Sequence, residues 1–288
     1  MELPMYKEAE YTKGWFGLAL FSDVHLGATD IQEQRLKDDL KRSCDEGRRI
    51  LFNGDMVEAI LPTDRKRYTP SRARTNRDDV LNELTYYTVD TLAPYVDYID
   101  LIGTGNHDDA PIKYNGYDIV GAVVTLLNTK RSKSLGNIHR AGYWGYARYS
   151  VGNMLPSGLK HKSAFTIYHH HGAGGASPVT KGMIDFNRIV YSHDADLYWL
   201  AHKHVGTQDP HIIRDRLTQQ NRYEVRRSQA VFTPGYKNAT NFSPKDGGYN
   251  YDYSDHFYSM QACGYAVVNL YQDYSTKLMK KDFEVISR

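Results

Sequence analysis

From Trp15 onward the chain alternates between short apolar runs, polar turns carrying Asp, Asn or His, and amphipathic stretches. That is the rhythm of an α/β fold. The run GWFGLALF at residues 14–21 ends at SDVHLG. It is too short to span a bilayer and reads as a buried strand. A helix is predicted from about Asp30 to Cys44, where Ile31, Leu36, Leu40 and Cys44 recur close to helical spacing. RRILF then leads into NGDMVE, a second helix covers about 78–92, and YVDYIDLIG ends at TGNHDD. A further helix is expected from Tyr117 to Leu127, followed by a strand pair around His139–Val151. SAFTIY ends at HHHGAGG, a helix follows near Lys181–Ser192, and DADLYWL ends at AHKHVG. Residues 214–227 read as a hairpin with a charged outer face.

Five apolar runs thus end in turns rich in Asp, Asn and His, and in α/β sheets the carboxyl ends of strands are where sites assemble. The turns supply Asp23 and His25 in DVH, Asp55 in GDMVE, Asn106 and His107 in GNHDD, the triplet His169, His170 and His171, and His202 and His204 in HKH. Mixed imidazole, carboxylate and amide oxygen is a ligand set for a borderline divalent metal such as manganese, iron or zinc. On an extended segment the two outer residues of D-x-H or H-x-H share a face, so each pair is expected to converge on one centre. So many ligands exceed one tetrahedral zinc but suit two ions roughly 3.5–4 Å apart with a bridging carboxylate. His139, His161, His193, His211 and His256 fall outside these turns and read as ordinary solvent-facing or hydrogen-bonded residues.

Composition narrows the class without naming a partner. The 36 basic and 34 acidic side chains leave a net charge of +2, too little for a global field that would imply nucleic acid or a membrane. At 288 residues, with 41% apolar and 24% charged content, the chain fits one soluble domain. Cys44 and Cys263 are too few for a disulfide framework and suit a reducing, cytoplasmic setting.

The order of motifs D-x-H, G-D-x-x-(D/N), G-N-H-(D/E), a strand-end histidine and G-H-x-H resembles the calcineurin-like metallophosphoesterases. The match spans residues 23–204, and five short motifs in one order are far more specific than any alone. The resemblance implies a four-layer α/β/β/α sandwich over residues 1–288. It also implies two divalent metal ions, manganese first with iron, zinc or nickel as alternatives. One ion would be held by Asp23, His25 and His204, the other by Asn106, His202 and the strand-end histidine, with Asp55 bridging. His107 would be an unligated acid or phosphate-binding imidazole, and Glu58 occupies the place of its acidic partner. His171 precedes Gly172 as the family ligand often precedes glycine. A regular strand would put His169 on its face and turn His170 away, whereas a bulge would make His170 the ligand. The sequence departs from the pattern at Ala201, where glycine is usual, and at Glu58, where Asp or Asn is commoner. Ala59 stands where protein Ser/Thr phosphatases carry Arg, which counts against that branch. Amidohydrolase barrels are set aside because they place H-x-H first rather than last.

The activity implied is hydrolysis of phosphate esters, phosphodiesters first and nucleic acid among them. Phosphomonoesters and a non-catalytic, metal-stabilised scaffold are the alternatives. Two segments bear on the substrate. The basic stretch at residues 64–79 could grip phosphates or pair with its own aspartates. The tyrosine-rich stretch at 236–258 reads as a loop or lid that could stack on bases or pack its own rings. No membrane association is expected.

Overall fold

The computed structural model describes residues 4–10, 15–65, 68, 79–154, 160–174, 183–204, 207–217, 221, 223–237, 242–243, 248–249, 263–271 and 282–287. Most of 64–79 and of 236–258 lies outside the described residues, as do 175–182. The strands are β1 Met5–Glu10, β2 Trp15–Phe21, β3 Arg49–Phe52, β4 Ile99–Ile102, β5 His139–Arg140, β6 Trp144–Met154, β7 Lys160–His170, β8 Leu197–Leu200, β9 Thr207–Leu217, β10 Tyr223–Phe232, β11 Phe242–Ser243, β12 Gly248–Tyr249, β13 Ala266–Tyr271 and β14 Asp282–Ser287. The α-helices are α1 Glu33–Asp45, α2 Val80–Leu92, α3 Asn106–Asn115, α4 Ile119–Lys130 and α5 Met183–Ser192.

Two six-stranded sheets carry the fold, ordered β14-β13-β2-β3-β4-β5 and β1-β6-β7-β8-β10-β9. Strands β2, β3, β4 and β5 run parallel to one another, as do β7, β8 and β10, while β13, β6 and β9 join these blocks antiparallel. Alternation within β2 explains the layering. Leu18 and Leu20 meet Phe165, Ile167, Leu197 and Trp199 of the other sheet, whereas Ala19 and Phe21 meet Leu36, Leu40, Leu84 and Val120 of the helices. Both faces of the strand are covered, so the run is apolar throughout instead of alternating. On the far side Tyr168, Tyr198 and Phe232 pack on Phe186 and Val190 of α5. The result is the expected α/β/β/α sandwich: α1, α2 and α4, then two sheets, then α5.

The strand pair expected around 139–151 is corrected. His139–Arg140 pairs with β4 in the first sheet, while Trp144 onward pairs with β1 and β7 in the second. The short AGY segment between them is a crossing from sheet to sheet. Ala141 is buried between the layers, and its N–H bonds the carbonyl of Ile102 (2.8 Å). Alternation alone cannot distinguish such a crossing from a hairpin turn. The hairpin at 214–227 is present, with β9 and β10 antiparallel. The unpredicted elements include β1, β13 and β14, and α3, which starts on the GNHDD motif itself.

Under the first sheet Asp100 is almost completely buried, and it accepts from Lys7 Nζ (2.6 Å), Arg49 Nε (2.9 Å), Arg131 Nη2 (3.0 Å) and the Tyr149 hydroxyl (3.0 Å). Burial opposes its charge, yet these donors, Arg49 foremost, hold its carboxyl below the usual range. The network ties β1, β3, β4 and β6 together. Among the described residues no helix is long and apolar enough to cross a membrane.

Candidate metal centre

The turns after β2, β3, β4, β7 and β8 meet at one edge of the sandwich. They do not converge by the strand alternation that the D-x-H and H-x-H spacing suggested. Among the described residues six non-glycines have positive φ, and five are Asp23 (50°), His25 (51°), Asp55 (48°), His202 (71°) and His204 (50°). Left-handed backbone is uncommon for residues with a Cβ and clusters at functional sites. Here it lets each turn curl back over the strand ends. Paired backbone bonds hold the curl: Asp23 N–H to Gly54 carbonyl (3.1 Å), His25 N–H to Asp55 carbonyl (2.9 Å) and Leu26 N–H to Met56 carbonyl (2.9 Å). The glycine of the G-D motif is required twice over. Gly54 has φ +78°, and a Cβ there would sit 2.6 Å from His171 Nδ1 and 2.7 Å from the Gly105 nitrogen.

Among the described residues three groups of side chains bring ligand atoms within 4.8 Å of one another: Asp23, His25 and His204; Asp55, His171 and His202; and His25, Asp55 and His107. Asp55 belongs to two of them and links the centre. His171 is wholly buried, with Nε2 3.2 Å from both Asp55 Oδ2 and Asn106 Oδ1. Its Nδ1 donates to the Asn53 carbonyl (2.8 Å). A carbonyl on the far nitrogen is the usual way a ligating imidazole is oriented. The strand-end triplet separates cleanly. His169 is buried on the inner face and outside these groups, and His170 Nδ1 accepts from the Gly172 N–H (2.8 Å), shaping the turn.

The donor set fits divalent cations on this structure's own terms. His25 Nδ1 donates to Glu58 Oε2 (3.0 Å), and its buried Nε2 has no hydrogen-bond partner. Burial pushes His25 and His202 down to about 4 and His204 well down, so all three are neutral, as ligands must be. The carboxylates tell the complementary story. Burial, opposed in part by His171, raises Asp23 to about 7, with Asp55 adding repulsion. Although burial disfavours its charged form, the Asp55 and Asp23 carboxylates lift His171 to about 9. The protein alone therefore places a proton where a cation would relieve the same negative charge.

His107 stands beside the centre, its Nδ1 donating to Glu58 Oε1 (2.7 Å) and its backbone N–H to Asp55 Oδ1 (2.8 Å). Burial works against its charge, but Glu58 and Asp55 raise its pKa. Several contributors were not visible in the motifs. Ser22 Oγ donates to Asp23 Oδ2 (2.5 Å) and lies 2.5 Å from Thr233 Oγ1, which accepts from Trp199 Nε1 (3.0 Å). Asp108 accepts from the N–H groups of Met56 (3.1 Å), Val57 (2.9 Å) and Gly105 (3.0 Å), fixing the loop that carries Asp55. Lys237 Nζ lies 3.1 Å from Glu58 Oε2. Ala201, in the glycine position of the last motif, is buried and is not among the positive-φ residues, so its methyl is accommodated.

No family model matches the sequence, and no curated protein does. Among solved structures the chain is similar to a calcineurin-like phosphoesterase, YfkN from Bacillus subtilis. Identity is 10%, the TM-score 0.39, and the alignment covers 95% of this chain and 91% of that one. It is also similar to GAP50, described as the anchor in the inner membrane complex of Plasmodium. There identity is 11%, the TM-score 0.42, and coverage 91% and 82%.

Proposed function

We propose that this chain, residues 1–288 taken as one domain, is a dinuclear metal-dependent phosphoesterase that hydrolyses phosphodiesters, with nucleic acid as a substrate class. The observation that carries this reading is the buried Asp55, whose carboxylate groups with His25 and His107 on one side and with His171 and His202 on the other, with the imidazole of His107 held beside it by Glu58. Asp23, His25 and His204 would hold one ion, and Asn106, His171 and His202 the other, with Asp55 serving both. Manganese heads the candidates for this mixed nitrogen and oxygen set, ahead of iron, zinc and nickel. Bound there, the ions would polarise the phosphoryl group and bring the pKa of water towards neutrality.

The chain's own residues supply the rest. His107 uses Nδ1 on Glu58, which leaves Nε2 to face a substrate, and the neighbouring carboxylates favour its protonated form. It is placed to protonate a departing alkoxide or to hydrogen-bond the phosphoryl group. Glu58 stays ionised: burial disfavours this, but His107 and Lys237 hold it well below the usual carboxylate range. A structural metal site would need no such pair, and this separates the enzyme from the scaffold alternative. Cys44 and Cys263 are both free, consistent with the proposed cytoplasmic location.

Turnover of bis-p-nitrophenyl phosphate, p-nitrophenyl phosphate and single-stranded DNA with added manganese tests the reading. Hydrolysis of the diester and of DNA is expected. Cleavage of the monoester alone would move the assignment to a phosphomonoesterase. Inactivity towards all three, with two ions bound, would favour the scaffold.

A further inference from the structure

We propose that Lys237 is a positioning residue that pins the Glu58 carboxylate so that its two oxygens are divided between His25 and His107. This rests on the proposed roles of the metal centre and of His107. The carboxylate donates nothing and accepts three contacts: Oε1 from His107 Nδ1 (2.7 Å), Oε2 from His25 Nδ1 (3.0 Å), and Oε2 from Lys237 Nζ (3.1 Å). The Lys237 side chain is only 7% exposed and that of Glu58 9%. Lysine ordinarily keeps its ammonium in water, so a buried one needs a charged partner, and here Glu58 is one.

The segment carrying Lys237 is rigidly tied to the centre. The Tyr236 N–H bonds the Asp23 carbonyl (3.0 Å), and the Tyr236 carbonyl accepts from the Gln32 N–H (2.9 Å). The Tyr236 ring is wholly buried, and its hydroxyl donates to Asp39 (3.0 Å). Gly235 (φ +83°) is there because a Cβ would fall 2.6 Å from the Asp23 Cβ. The ammonium is therefore delivered from the backbone that also holds the Asp23 turn, and it approaches Glu58 on the His25 side. Without it, Oε2 would be held by His25 alone. With it, Oε2 stays on His25 and Oε1 on His107, so the orientations of the ligand and the proposed acid are set together.

The test compares the full chain with Lys237→Met and Lys237→Arg, each checked for fold by circular dichroism and for metal content by elemental analysis. Lys237→Gln replaces the Met variant if that one does not fold. Losing one charge-assisted contact should lower kcat on a dinucleotide about tenfold. KM should stay within about twofold, metal content should be unchanged, and Lys237→Arg should recover most of the loss. In metal-free protein the Nδ1 proton and nitrogen resonances of His25 and His107 should move in Lys237→Met and return towards wild type in Lys237→Arg. A rise in KM with kcat held would overturn the proposal in favour of a direct grip on substrate phosphate. Loss of a metal ion, or unmoved imidazole resonances, would overturn it as well. Should the wild-type chain hydrolyse nothing, the phosphoesterase reading falls, and the resonances of the metal-free protein still decide the role of Lys237.

Discussion

The left-handed turns make metal removal a measurable test of how this centre is held together. Five non-glycine residues at the site, Asp23, His25, Asp55, His202 and His204, carry positive φ. At about 1 kcal/mol each the backbone stores about 5 kcal/mol, comparable to the whole stability of a marginal domain. Two ions, each present at about a hundred times its dissociation constant, would return about 5 kcal/mol. The ions would thus roughly offset the strain. For a chain of this length the unfolding entropy is about 0.6 kcal/mol/K, so chelation should lower Tm by about 8 °C. The assay is calorimetry on loaded and chelated samples, with metal content measured on both. Amide exchange should quicken at Asp23, His25 and His202, whose N–H groups bond within the turns. Ile102 and Ala141, at the strand ends, should be unaffected. A demonstrably metal-free sample that unfolds within about 2 °C of the loaded one would refute the reasoning, since packing alone would then hold the turns.

Three further outcomes are expected. Asp55→Asn should remove both ions, because Asp55 joins two ligand groups; elemental analysis finding one ion undisturbed would reject its bridging role. His107→Ala should keep two ions and lower turnover about a hundredfold or more, with a larger defect on alkyl esters than on nitrophenyl esters, because a nitrophenolate leaves without a proton. Equal defects would mean that His107 positions phosphate, and loss of an ion would place it among the ligands. Asp100 is held below its usual pKa, so the stability it contributes is present above about pH 4 and is lost as pH falls towards its own lower value. Asp100→Asn should cost about 3–5 kcal/mol at neutral pH and flatten that acid dependence in urea titrations from pH 3 to 7.

Much of this was legible in the chain because the information was local. Buried parallel strands carry near-continuous apolar runs, so β2, β3, β4, β7 and β8 announced themselves, and the polar turn after each held the candidate ligands. The D-x-H spacing also pointed to residues that the fold does bring together, although by a mistaken route. Extended backbone was assumed where Asp23, His25, His202 and His204 are left-handed, a state their sequence does not advertise beyond the mild tolerance of Asp and His for it. Helix α3 was missed because its first turn, NHDD, looks like a polar loop. Its start is set by the capping of Asp108 onto the Gly105 N–H (3.0 Å), a bond that also depends on the Asp55 loop being in place.

What sequence could not reveal lies between the sheets. The centre takes Asp23, His25, Asp55 and Asn106 from one sheet and His171, His202 and His204 from the other, so a slip of one sheet over the other would pull it apart. Two small connections oppose that slip. Asn53 Nδ2 reaches from the end of β3 to the carbonyls of His170 and Trp199 (both 3.2 Å), while its own carbonyl orients His171. Ser22, at the end of β2, joins Asp23 to Thr233, which also holds the Trp199 indole. Each connection is a side chain reaching across layers from a residue more than a hundred positions away, and neither has a periodicity or motif of its own. The hydrophobic contacts between the sheets are non-directional and would tolerate small displacements. These two polar contacts are directional, and they sit at the edge where the candidate ligands meet. Packing therefore brings the two halves of the site together, and Asn53 and Ser22, with the Asp100 network that also joins the sheets, set their register.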